Sequence, residues 1–103
     1  MYRAVRVQYT ARPEYVETNK QNISKVMAEL KAINNPGIKY STFLDADGKS
    51  FMHFAMFENE AATQVLNNLE SFKYFSNALK ESGPEVPVKV EQLSLVASGY
   101  DIF

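Results

Sequence analysis

Ile38–Glu58 reads IKYSTFLDADGKSFMHFAMFE, two runs of alternating residues joined around Asp47-Gly48. Aromatic and β-branched side chains that alternate along the chain suit strands, and Asp-Gly favours a two-residue type I′ hairpin turn because both of its central residues take positive φ. Such a turn sets Leu44 opposite Phe51, Thr42 opposite His53, Tyr40 opposite Ala55 and Ile38 opposite Phe57. Phe43, Met52, Phe54 and Met56 then point to the other face.

Outward from the hairpin the pattern continues on both sides. Tyr2–Tyr9 alternates as a strand, with Val5, Val7 and Tyr9 on one side and Ala4, Arg6 and Gln8 on the other. After Pro13, Val16, Ile23, Val26, Met27, Leu30 and Ile33 form one helical stripe, which Asn34-Asn35-Pro36-Gly37 ends. Asn59 can cap a second helical region carrying Ala62, Val65, Leu66 and Leu69, then, past a break near Ser71, Phe72, Phe75 and Leu79. Ser82-Gly83-Pro84 stops it, and VPVKV from Val86 begins a last strand. The order β-α-β-β-α-β predicts one α+β domain over residues 1–103, a ferredoxin-like sandwich: a four-stranded antiparallel sheet with its helices on one face.

The helices need an apolar sheet face, and the sequence offers Val5, Val7, Tyr9, Phe43, Met52, Phe54 and Met56 for it. The opposite face then carries Arg6, Gln8, Tyr40, Thr42, Phe51, His53, Ala55 and Phe57, and so short a chain has no further element to cover it. A sheet of four strands presents roughly 400 Å² in plan, comparable to the largest apolar patch of a typical monomer. A second copy covers it most economically, because a two-fold pairing needs only one self-complementary surface. A homodimer through the open sheet face is therefore expected.

Composition excludes much else. The chain has 103 residues, a formal charge of −1, 46% hydrophobic and 13% aromatic residues and no cysteine. Without runs of like charge it has no electrostatic footprint for nucleic acid or anionic lipid. The missing cysteines exclude disulfides, thiol nucleophiles and Cys-ligated metals, and one histidine cannot supply a His-rich metal triad. No stretch approaches the ~18 apolar residues of a membrane span, and the N-terminus lacks an apolar signal core, so a cytoplasmic location without membrane association is expected. Scattered glycines exclude a phosphate loop, and Asp45-Ala46-Asp47-Gly48 has its glycine too early for a calcium loop.

Phe54–Lys80, FAMFENEAATQVLNNLESFKYFSNALK, resembles the third strand and second helical region of antibiotic-biosynthesis-monooxygenase-like proteins, the dimeric α/β barrels. Phe54, Phe57 and Glu58 stand at that family's aromatic-x-x-aromatic-Glu positions, Ser71-Phe72-Lys73-Tyr74-Phe75 is similar to its short His-Phe-Lys-x-Phe helix, and Asn35-Pro36-Gly37-Ile38 to its Pro-Gly turn. The resemblance implies a homodimer with a small apolar cavity in each protomer, and oxidation of quinols or phenol-like aromatics by dioxygen with no added cofactor. Leu66 and Ser71 replace two histidines common in the family, and no haem-ligating residue has an equivalent.

His53 is the one histidine and the candidate catalytic base, able to take a proton from an acidic phenol; its alternative is an ordinary interior or interface residue. Arg6, Gln8, Tyr40, Thr42, Phe51 and Phe57 share its expected face and are the candidate substrate-binding set. For Arg6 the alternative is an interface salt bridge with Asp101 or a glutamate; for Tyr40 and Thr42 it is packing. Two further readings remain: a non-enzymatic homodimer that binds a small apolar metabolite, and an RNA-recognition-motif-like binder that stacks bases on Phe51 and His53.

Overall fold

A computed structural model describes residues 2–103. Four strands, β1 (Arg3–Thr10), β2 (Ile38–Leu44), β3 (Ser50–Phe57) and β4 (Val86–Leu93), form one antiparallel sheet in the order β2-β3-β1-β4. Helix α1 (Val16–Ile33) follows a 3-10 turn at Pro13–Tyr15, and α2 (Glu60–Asn67) and α3 (Glu70–Ser82) divide the second helical region at Asn68-Leu69, just ahead of the break read near Ser71, which lies in the first turn of α3. This is the ferredoxin-like α+β fold that the element order predicts.

Every hairpin pair read from the sequence forms, Leu44 with Phe51, Thr42 with His53, Tyr40 with Ala55 and Ile38 with Phe57. The turn itself differs. Only Gly48 takes positive φ (76°), Gly48 N–H donates to Asp45 C=O, and Asp45 N–H donates to Ser50 C=O, which closes a four-residue loop instead of a two-residue one. Both loops centre on the same point of the chain, so the register is the same. The Asp47 carboxylate accepts from the Lys49 and Ser50 backbone N–H groups and from the Ser50 hydroxyl, which holds its pKa below the usual carboxylate range.

The sheet faces require a correction. Val7 pairs with His53, Val5 with Ala55 and Tyr9 with Phe51, so the odd-numbered residues of β1 share a face with His53, Phe51 and Phe57. That is the face the helices cover: Tyr9, Phe51, Ala55 and Phe57 join Val26, Leu66, Phe75 and Leu79 in one buried core. Phe43, Met52, Phe54 and Met56 lie with Ala4, Arg6 and Gln8 on the open face, the reverse of the hairpin's expected orientation. Burial decides between the two arrangements: Phe51 and Phe57 are nearly inaccessible, whereas Phe43 is 54% exposed. Each large side chain taken fully from water contributes about 1.5–3 kcal/mol, and Phe51 and Phe57 contribute it here.

Helix ends follow local chemistry. Asn34, in the left-handed region with φ 54°, ends α1 before Pro36-Gly37, which leaves Ile33 largely exposed instead of in the core. Gly37 lies so close to β3 and α2 that an added Cβ would sit 3.2 Å from Asn35 Oδ1 and 3.3 Å from Glu58 Cβ. Asn59 caps α2, its side chain accepting from Ala62 N–H at 2.9 Å. Replacing Asn59 with Ala should cost about 1 kcal/mol, read as a lower urea midpoint at unchanged slope. In β4, Pro87 falls where the pairing with β1 shifts between Gln8 and Thr10, a place on an edge strand where its missing N–H is tolerated.

Candidate active site

His53 sits mid-strand on β3 beneath the helices, 3% exposed, with Phe75 of α3 and Tyr9 of β1 each 5.4 Å away between ring centroids. Both of its nitrogens are engaged. Tyr9 Oη is 2.8 Å from Nε2, Tyr40 Oη is 2.7 Å from Nδ1, and Thr42 Oγ1 is 3.1 Å from Nδ1. Behind Tyr9, Asn19 of α1 donates its Nδ2–H to the phenol oxygen at 2.8 Å. A polar chain thus runs from α1 through β1 and β3 to β2 inside an otherwise apolar layer.

Burial sets the protonation states. Desolvation pushes the His53 pKa down to about 4, so the imidazole is neutral at pH 7. The same cause raises both Tyr9 and Tyr40 well above the usual phenol value, and both remain protonated. Leu66, at a position where the resemblance implies histidine, is buried and lines the cavity; Ser71, at the other, donates its hydroxyl to Glu29 of α1.

Two adjoining cavities of about 220 and 200 Å³ lie between the sheet and α2–α3, and both are walled by Val7, Tyr40, His53, Phe72 and Val90. Arg3, Thr63 and Asn67 stand around the first, and Ser76 and Lys80 around the second. Val90 of β4 is 60% exposed, so the groove is open along the β4 edge. The arrangement has the form of a small-molecule site: concave, mostly apolar, with a few converging polar groups.

Of the residues singled out in the sequence, Tyr40, Thr42, Phe51 and Phe57 share the His53 face: Tyr40 and Thr42 bond to it, Phe57 lines the cavity, and Phe51 packs in the core beside Tyr9 at 5.4 Å. Arg6 and Gln8 do not join them. They lie on the opposite side of the sheet, where Arg6 binds Glu91 of the neighbouring strand β4 at 2.9 Å, a glutamate within its own chain instead of one across an interface, and Gln8 is solvent-exposed. The pair keeps the Glu91 carboxyl below its ordinary pKa, chiefly through the Arg6 hydrogen bond. Phe51 and His53 are both 3% exposed under the helices and cannot stack on bases, which removes the RNA-recognition platform. Tyr9 and Asn19 are not among the sequence candidates. Asn19 stands between Val16 and Ile23 in the helical stripe, and a polar side chain within such a stripe is the signal that marks it.

The sequence matches no protein-family model and no curated protein. Solved structures do match. Rv0793 from Mycobacterium tuberculosis superposes with a TM-score of 0.80 at 17% identity, covering 97% of this chain and 100% of that one. A crystal structure of an antibiotic biosynthesis monooxygenase gives 0.73 at 15% identity over 94% and 100% of the two chains. A mutant form of SnoaB from Streptomyces nogalater, a cofactor-independent oxygenase, gives 0.72 at 11% identity over 97% and 98%. The chain therefore has the fold of the antibiotic biosynthesis monooxygenase proteins.

Proposed function

We propose that this protein is a cofactor-independent monooxygenase of a small quinol or phenol-like aromatic, working as a cytoplasmic homodimer paired through the open sheet face. The observation that carries the reading is the groove along β4, mostly apolar on its walls, with Tyr40 and His53 the polar pair common to both of its cavities, in a fold shared with a cofactor-independent oxygenase. A flat ring fits between Val7, Val90 and Phe72, with its ring oxygen at the Tyr40–His53 pair. For a quinol the reaction balances without another reductant. One oxygen atom of O₂ bonds to a ring carbon, the O–O bond breaks, the other atom leaves as water, and the quinol supplies the electrons as it becomes a hydroxyquinone. The protein's part is to orient the ring, keep water from it and hold its oxygen.

Oxygen consumption with naphthalene-1,4-diol and related quinols tests the reading. Uptake should exceed the uncatalysed rate and fall at least tenfold in His53→Ala at unchanged oligomeric mass. Equal uptake by both proteins removes His53 from the reaction, and no uptake above background across the panel removes the oxygenase.

One observation favours a second reading, a homodimer that binds a small apolar metabolite without turning it over. Both His53 nitrogens already have partners within the protein and its pKa lies far below neutrality, so the imidazole is a weak base with no free lone pair facing the groove. Tight binding of an apolar aromatic without oxygen uptake is the outcome that selects it.

A further inference from the structure

Asn19 sets the direction of the hydrogen bonds through His53. Its side chain is fully buried, Nδ2–H donates to Tyr9 Oη, and Oδ1 has no partner among the described residues. The reverse amide orientation would strand an N–H in place of a carbonyl oxygen, and an orphaned buried donor is the rarer and costlier of the two. Tyr9 Oη therefore receives a hydrogen from Asn19, and its own hydrogen has one acceptor in reach, His53 Nε2 at 2.8 Å. A neutral imidazole that accepts at Nε2 carries its proton at Nδ1, which donates toward Tyr40 Oη at 2.7 Å, with Thr42 the longer alternative at 3.1 Å. With its oxygen occupied as acceptor from His53, Tyr40 directs its own hydrogen away from the imidazole, toward the groove whose wall it forms.

We propose that Tyr40 is the group that meets the bound molecule, as a hydrogen-bond donor to a carbonyl or oxyanion oxygen, and that Asn19, Tyr9 and His53 are positioning residues that fix its polarity. This rests on the groove being the binding site, as in the function proposed above, and deepens it by naming the oxygen the site selects. A quinone carbonyl, an enolate or a phenolate satisfies a donor. His53 then acts through Tyr40 and does not abstract the substrate's proton itself. A donor aimed at an oxygen where negative charge collects stabilises that charge as electron density leaves the ring for dioxygen.

Since His53 is the only histidine, its ring nitrogens give the only imidazole ¹⁵N signals in the chain. In the ligand-free protein at pH 7 they should show Nδ1 protonated and Nε2 as the bare acceptor; the opposite tautomer overturns the relay. Tyr9→Phe removes the donor to Nε2 and should convert the single tautomer into a mixture, whereas an unchanged signal shows that the chain does not set it. The ligand arm uses 1,4-naphthoquinone, already oxidised and so not dependent on turnover, against naphthalene, which has no oxygen. The chain has no cysteine for the quinone to alkylate. Tyr40→Phe should weaken naphthoquinone binding about tenfold and leave naphthalene unchanged. Equal losses for both, or no binding of naphthoquinone to the wild type, overturn the donor role. Absent oxygen uptake with these results intact would count against the oxygenase alone.

Discussion

Lowering the pH from 7 to 4 should destabilise the folded protein by about 3 kcal/mol through His53 alone. In an unfolded chain the imidazole titrates near ~6.5, and in the folded protein burial holds it down to about 4. Between those values the unfolded chain binds the extra proton and the native state does not, so stability falls as pH falls through this window and levels off below it. About two and a half pKa units at ~1.36 kcal/mol each give the magnitude. Urea unfolding at pH 7, 5.5 and 4, at one protomer concentration, measures it. The control is His53→Phe, which loses the relay bonds at every pH but has nothing to titrate at that position. Asp47 and Glu91, whose carboxyls are also depressed, contribute acid sensitivity of the same sign in both proteins and cancel in the difference. If the two proteins lose stability in parallel between pH 7 and 4, the imidazole is not held neutral by its surroundings.

The fold is legible in the sequence because periodicity and punctuation agree along the chain. Asn59 as a cap, the break between α2 and α3, the Asn-Pro-Gly stop and the hairpin register are all consequences of nearest-neighbour chemistry. Which side of the hairpin faces the helices is a different kind of fact. Both faces of β3 are apolar, with Phe51, Ala55 and Phe57 on one and Met52, Phe54 and Met56 on the other, so alternation gives the period without the sign. The sign comes from the pairing of β1 with β3, which sets Val7 against His53 across more than forty residues of sequence. That one undetermined sign is what brings Arg6 and Gln8 into the expected site and keeps them out of the real one. Tyr40 and Thr42 need no such information, because they reach His53 through the hairpin, a local relation. Tyr9 and Asn19 require both the sign and the packing of α1, neither of which a single strand or helix encodes.

Replacing Phe54 with Lys should turn the protein from a dimer into a monomer at micromolar concentration. The open face carries Phe43, 54% exposed, and half-exposed Phe54 and Met52, with the Arg6–Glu91 pair and Leu95 beside them, and the tail residues Val96 and Tyr100 are likewise exposed in the single chain. Val96, at 97%, makes almost no contact with its own protomer. Burying such a surface against its own copy is the proposed pairing, and a two-fold axis means that any substitution enters twice. Phe54 lies directly across from Arg6, so a lysine there adds a cation beside a cation already paired to Glu91. Two unpaired charges buried per dimer cost several kcal/mol, and the dissociation constant should rise at least a hundredfold. The chain itself should stay folded, because Phe54 points away from the helices and takes no part in the core that holds them to the sheet. Sedimentation equilibrium gives the mass and circular dichroism the fold. A wild type that sediments as a monomer at tens of micromolar, or a Phe54→Lys protein with the mass of the wild-type dimer, removes this face as the interface. In either case the groove around His53 would remain intact, because it opens on the other side of the sheet.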